Sequence, residues 1–429
     1  MSVTTISSLA EFVEWHNEQN QLLARYNRLE CNFYPISFKC FFRGMSSWQY
    51  KLIPSIYRSS SRLKNEDKII ADCLSLRPQD FYNDKSTFER LVRMQHYGVP
   101  TRLLDVTKNP LVALYFAVQN PIEEIGKLTT IFVTEQSVKY ADSDTVSVVS
   151  NIANMPHDWH SAWCIQHYYN YLLARSCEAK QDFLTNYNQK PVIKQLIQQI
   201  LREKPYFQPR LNKEDVESVL CVIPPMSNER IQRQLGCFLL FGCVGAKSRC
   251  IEIIERESAE LLFDAMDMLE EVSLGVCNKE THRDILRDSI AKFDQFFIKN
   301  SIQTCKLADA FNKILSSEDS IGEDVRNAYG EYFQQIIQNN FNDIISAELA
   351  RGEVNGVFDE EDVAKHRFFL EFYCRRRAVF QTSVKVENKT GILKELEALG
   401  ITKSYLFPEL SSIGEEINAR YPIPDGNGL

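Results

Sequence analysis

Hydrophobic and polar positions change period several times along the chain, and each change marks an element. Over residues 7–29, Ala10, Phe12, Val13, Leu22, Leu23 and Tyr26 fall on one face of a helix. Ser8 and Glu11 have capping-box spacing at its start. Residues 37–43 alternate with the period of a strand and run into Gly44, which predicts Arg43 at a strand end. The segment up to Arg58 reads as irregular, with a turn at Pro54-Ser55. Residues 65–76 and 86–96 read as helices. The second carries Phe88, Leu91, Val92 and Gln95 on one side and is stopped by Gly98 and Pro100. An extended piece follows over 101–106. Asn109 then has the chemistry of an N-cap, with Pro110 at the first helical position. Leu111, Leu114, Tyr115 and Val118 recur at i, i+3, i+4 and i+7, the pattern of an amphipathic helix.

Downstream, residues 128–134 predict a strand and 144–207 a mixed, mostly helical stretch. Residues 217–223 form a second β-branched run that ends at Pro224-Pro225. A helix or turn over 228–233 leads to a further strand at 238–241. From 245 to 375 helical stripes dominate, for example Ile285, Leu286, Ile290, Phe293 and Phe297. A second stripe runs through Val325, Tyr329, Tyr332 and Ile336. Strand character returns at 379–384, followed by a helix at 392–399.

Composition narrows the class. Among 429 residues, 44% are hydrophobic and 25% charged, as in an ordinary soluble protein. A net charge of -8 argues against nucleic-acid binding through a general basic surface. The 12 cysteines include no Cys-x-x-Cys pair, and the first residues lack a basic and apolar leader. The longest apolar runs fall far short of the ~20 residues that span a bilayer. These features predict a reducing, cytoplasmic location with no membrane partner.

Candidate chemistry concentrates between Phe41 and Ala117, where Arg, His, Asp, Tyr, Thr and Gly lie among apolar residues. Buried polar groups must be hydrogen-bonded, so this stretch is a wired core or a site. Arg43 offers a rigid fork for phosphate or carboxylate, and Gly44 beside it would let a ligand approach the backbone. Alternatively Arg43 braces loops against Glu89 or Asp105. Arg58 has the same two roles open to it. His96 is suited to acid–base work or to a core hydrogen bond, and Tyr97 follows it. Arg102 and Asp105 are spaced to pair with each other. Thr107, Asn109 and Tyr115 surround a helix start, which suits an anion or a plain cap. His157, His160 and His167 do not converge at the spacing zinc needs, so no metal is expected. No phosphate-loop, dinucleotide or nucleophile-elbow motif is present in the sequence.

Three ordered blocks resemble the FRG domain, a bacterial family named for its Phe-Arg-Gly motif. They are Phe42-Arg43-Gly44, the run Met94-Gln95-His96-Tyr97-Gly98-Val99-Pro100-Thr101-Arg102-Leu103-Leu104-Asp105, and Asn228-x-Arg230-Ile231 with Gln234-x-Gly236-x-Phe238. The resemblance implies an α+β fold in one discontinuous domain. Residues 1–244 and 376–429 would form it around a small mixed sheet, with an all-helical insertion over 245–375. Minimal members pass almost directly from the third block to the C-terminal strand and helix.

An aromatic-Arg-Gly strand end also looks like the arginine-type ADP-ribosyltransferases, which implies NAD as substrate. Arg43 would hold its phosphates and ribose, Thr107 or Tyr115 would order the nicotinamide ribose, and Gln234 would stand where a glutamate is expected. With His96 added, the implied catalytic set is Arg43, His96, Tyr115 and Gln234. The implied NAD-binding set is Arg43, Gly44, Arg58, Tyr97, Arg102, Thr107 and Asn109. The neutral Gln234 departs from the pattern, because an amide stabilises positive charge less than a carboxylate does. Two functions stay open. One is an NAD-consuming enzyme in a bacterial defence or toxin system, with the insertion recognising a protein or nucleic-acid target. The other is a non-catalytic nucleotide- or protein-binding module.

Overall fold

The structure is a computed structural model. It describes residues 5–27, 37–120, 125–157, 185, 188–209, 211, 213–216, 218–226, 229–243, 254–255 and 379–408. Nine strands are present among them: β1 Thr5–Ile6, β2 Phe38–Met45, β3 Leu103–Thr107, β4 Gly126–Thr134, β5 Val138–Tyr140, β6 Val219–Ile223, β7 Gly236–Phe241, β8 Ile254–Glu255 and β9 Val379–Val386. The helices are α1 Leu9–Tyr26, α2 Ser60–Lys64, α3 Glu66–Leu76, α4 Thr87–His96, α5 Pro110–Val118, α6 Asp144–Asn151, α7 Pro191–Glu203, α8 Lys213–Val216, α9 Glu229–Gln234, α10 Lys389–Ala398 and α11 Lys403–Leu406.

All nine strands join one mixed sheet in the order β1-β9-β4-β2-β3-β7-β6-β5, with β8 also on β9. The fold is α+β as predicted, on a sheet broader than the small one expected. The long antiparallel ladder β2–β4–β9 is its spine. Phe38 through Met45 pair with Thr134 through Lys127, and β4 pairs onward with β9. The strand near the C-terminus and the Phe-Arg-Gly strand therefore share one sheet with only β4 between them. The helical stripes predicted over 245–375 lie outside the described residues, except that Ile254–Glu255 is a strand parallel to β9. The mixed stretch over 144–207 is helical at α6 and α7, and residues 158–184 lie outside the described residues.

Local chemistry sets several helix starts. Ser8 accepts from Glu11 N, Ser86 from Glu89 N and Asn109 from Leu111 N. Two faces differ from expectation. In α1 the buried positions are Phe12, Trp15, Gln19 and Tyr26, whereas Ala10 and Val13 face solvent. The helix α5 is not amphipathic: Val112, Ala113, Leu114, Tyr115, Ala117 and Val118 are all buried. It packs on β2 and β4 on one side and on α10 on another, so it has almost no wet face.

The sheet carries two separate helix-covered cores on the same face. Phe42, Leu128 and Val384 pack with α1, α5 and α10. Leu103, Leu220 and Leu240 pack with α3, α4, α6 and α7. Phe42 pairs with Thr107, and residues 107, 105 and 103 alternate onto one side of β3. Thr107 and Asp105 therefore lie between the two cores. The opposite face holds a third core of Phe41, Leu104, Val106, Ile131, Cys221 and Leu239, covered in part by Leu52 and Tyr57.

Candidate functional site

The register of β2 with β3 is a single pair, Phe42 with Thr107, against eight pairs between β2 and β4. At that interrupted seam the sheet opens into a pocket of about 360 Å³, within the size range of small-molecule sites. It is lined by Phe42, Arg43 and Gly44 of β2, Asp105 and Thr107 of β3, His96 of α4, Gly236 and Phe238 of β7, and Arg230 and Gln234 of α9. Tyr50 and Arg58 close it from the connecting segment.

The three residues of the Phe-Arg-Gly motif separate by role. Phe42 is buried in the core under α1 and α5. A Cβ on Gly44 would lie 1.7 Å from the main-chain oxygen of Ala113 and 2.7 Å from Ala117 N. The close approach of α5 is therefore enough to require glycine at this position. Of the three, Arg43 brings the charged side chain to the pocket. Its Nη1 donates to the main-chain oxygen of Asp105 and lies 3.9 Å from Asp105 Oδ2. Its Nε is buried with no partner among the described residues. Glu89, the other partner considered for Arg43, accepts instead from Lys85 N at 2.6 Å and caps α4.

A polar chain anchors Asp105. Thr101 Oγ1 donates to Gln95 Oε1 at 2.5 Å, and Gln95 Nε2 donates to Asp105 Oδ2 at 2.9 Å. Thr107 Oγ1 accepts from Asn109 N and donates to Gln234 O at 2.6 Å, which ties β3 to the end of α9. Gln234 Nε2 donates to Leu406 O at 3.0 Å. Arg230 lies 4.8 Å over the Phe407 ring. The third block is thus held against the C-terminal segment by both a hydrogen bond and a cation–π contact.

Three arginines and one aspartate line the pocket of a chain whose net charge is -8. Burial lowers the pKa of Arg43; Asp105 opposes that shift and Arg58 adds to it. A guanidinium stays protonated through such a shift, so Arg43 is a fixed cation in a half-dry setting. Arg58 is exposed and spends its Nε on Ile53 O at 3.1 Å.

The fold brings together Arg43, Gly44, Arg58, His96, Thr107 and Gln234 from the residues singled out in the sequence. Four others go elsewhere. Arg102 is fully buried and pairs with Glu66, not with Asp105. Tyr97 is 79% exposed and borders a neighbouring cleft of about 680 Å³. Tyr115 is buried in the α5 core, and Asn109 serves as the helix cap. That larger cleft carries Asp84, Arg93, Glu89 and Glu229, and its Asp84–Arg93 charges already satisfy each other at 2.7 Å. In the smaller pocket the charged groups of Arg43 and Asp105 stay 3.9 Å apart, which makes it the candidate site. Arg230 was not anticipated as a site residue, though it lies inside the third block as Asn228-x-Arg230.

Among the described residues no group of three or more metal-ligating side chains comes together, and His160 and His167 lie outside them. No helix among the described residues is long and apolar enough to cross a membrane. No curated protein and no solved structure matches this chain. Residues 39–125, which contain α4, β3, α5, all but the first residue of β2 and all of the first two motif blocks, match the FRG domain family, so the chain carries an FRG domain over that stretch.

Proposed function

We propose that the pocket at the β2–β3 seam binds a phosphate-bearing nucleotide, and that the chain is an NAD-consuming enzyme of the ADP-ribosyl-transferring kind. The observation that carries this is Arg43: a cation turned into a pocket, with a buried Nε that no described residue satisfies. Leaving a buried donor unmatched costs about 1–3 kcal/mol, which a bound phosphate or ribose oxygen would offset. Arg58 and Arg230 add two further cations to the same wall. Guanidinium groups suit phosphate because their planar donors fit two oxygens at once. His96 and Phe238, with ring centroids 6.3 Å apart, offer an aromatic floor for a base or nicotinamide ring.

The described cysteines Cys40, Cys73, Cys221, Cys237 and Cys243 are free thiols, which suits the reducing cytoplasm. In this proposal the chain acts in a bacterial defence or toxin setting, and the stretch 245–375 reads the protein or nucleic-acid target.

The test is incubation of the full chain with labelled NAD, following nicotinamide release and label transfer, alongside calorimetric titration of NAD. Release or transfer supports the enzyme. Titration with neither binding nor release rules it out.

A non-catalytic binding module is the second candidate, and one observation favours it. The groups assigned to bond cleavage are already occupied: Gln234 by Leu406 O, Thr107 by Gln234 O and Asn109 N, and Tyr115 within the core. NAD binding without cleavage would select it.

A further inference from the structure

Among the described residues the pocket holds a single carboxylate, that of Asp105. Its neighbours Leu104 and Val106 are buried on the far face of β3, while the Asp105 side chain is 55% exposed toward the opening. The residue is fixed at three points. Its main chain pairs with Phe238 of β7, its carbonyl accepts from Arg43, and its Oδ2 accepts from Gln95 Nε2. Gln95 is itself oriented by Thr101 Oγ1. Asp105 Oδ1 has no partner among the described residues. Were Asp105 present only to neutralise Arg43, the two side chains would close into a short fork. Instead Nη1 stays 3.9 Å from Oδ2 and spends its hydrogen bond on the main chain. A preoriented carboxylate with one open oxygen faces the pocket.

We propose that Asp105 is the catalytic carboxylate of this site and that Gln95 is its positioning residue. The inference rests on the NAD-consuming function above. Cleavage breaks the bond between ribose C1′ and the pyridinium nitrogen. The electron pair goes to that nitrogen and neutral nicotinamide leaves. Positive charge then develops on the ribose, as in other glycoside cleavages. A fixed carboxylate stabilises that charge more than the amide of Gln234 would. Water supplies the oxygen that bonds to C1′, and its proton passes to Asp105 or to solvent, giving ADP-ribose, nicotinamide and one proton. The pocket thereby offers opposite charges to the two ends of one substrate: Arg43, Arg58 and Arg230 to the pyrophosphate, and Asp105 to the reacting ribose.

The test compares wild type, Asp105→Asn, Gln95→Leu and Arg43→Ala in the full chain, measuring NAD affinity, nicotinamide release and melting temperature. Asp105→Asn should bind NAD within about threefold of wild type yet release nicotinamide about 10²–10³-fold more slowly, the usual effect of losing one preorganised charge-stabilising group. Gln95→Leu should lower kcat with KM unchanged, which a purely structural role would not produce. Arg43→Ala should instead lose affinity. A folded Asp105→Asn with near wild-type turnover overturns the proposal. If that variant folds poorly, unchanged kcat in Gln95→Leu overturns it. A wild type that binds NAD without cleaving it overturns the role of Asp105 and leaves the nucleotide site standing. A wild type that does not bind NAD overturns both.

Discussion

Arg102 Nη2 and Nε both donate to the carboxylate of Glu66, at 2.5 and 2.9 Å, with 0% and 2% of the two side chains exposed. Arg102 Nη1 also donates to Phe241 O at 2.8 Å, so one guanidinium links α3, the start of β3 and the end of β7. Burial lowers the affinity of Arg102 for its proton, but Glu66, helped by Tyr57 and Cys243, more than reverses this and raises it. Removing one partner leaves a buried charge unmatched. Glu66→Ala should therefore lose about 3–5 kcal/mol in denaturant unfolding. The double variant Glu66→Leu with Arg102→Met should recover most of that loss. Equal loss in single and double variants would show that the site needs the volume of Arg102, not its pairing.

Gly44 touches the α5 backbone, so Gly44→Ala should act on stability first. The added Cβ has 1.7 Å to the Ala113 oxygen, and the obstacle is backbone, not a flexible side chain. Overpacking of this kind costs about 1–3 kcal/mol or more. A fall in melting temperature checks it; an unaltered melt accompanied by lost ligand binding would return Gly44 to a ligand role.

Arg43→Lys keeps a charge but loses the planar fork, so it should weaken NAD binding clearly. Arg43→Ala should weaken it further, by about 2–5 kcal/mol, if a buried charge contact is broken. Melting and titration on the same preparations separate this from bracing of Asp105. A well-folded Arg43→Ala of unchanged affinity would end the ligand role. Tyr97→Ala removes an exposed side chain outside the pocket and should leave affinity as it was.

His16 ties acid stability to the core behind Phe42. Its ring stacks on Phe12 at 6.1 Å and meets Phe42 edge-on at 5.6 Å, and burial lowers its pKa below the ordinary 6.5. The unfolded chain then binds the proton better than the folded one, so protonation favours unfolding. Stability should decline as pH falls below about 6.5 and level off beneath the lowered folded value. In His16→Phe that part of the decline should vanish, as denaturation at a series of pH values would reveal. An identical slope in both proteins would assign the acid sensitivity elsewhere.

What the amino-acid sequence determined by itself is what depends on near neighbours. The caps Ser8 and Asn109, the stop at Gly98 in its left-handed conformation, and a strand over 37–43 were legible, although the strand runs two residues past Arg43 to Met45. They need only residues three or four places apart, or alternation along one strand. The dense polar stretch from Phe41 to Ala117 marked a wired core or a site. Tertiary structure alone decided which of those polar residues meet. Arg102 looked toward Asp105, three positions away, but is matched by Glu66, 36 residues distant. Tyr115 falls on a face that α10 and the sheet bury, because α5 is enclosed on several sides and its own period does not report that. Arg230 reaches the pocket because β7 pairs with β3 and carries α9 with it. The opening itself exists because β2 and β3 pair at one residue only, and a strand's register with a distant partner is set by packing, not by its own alternation.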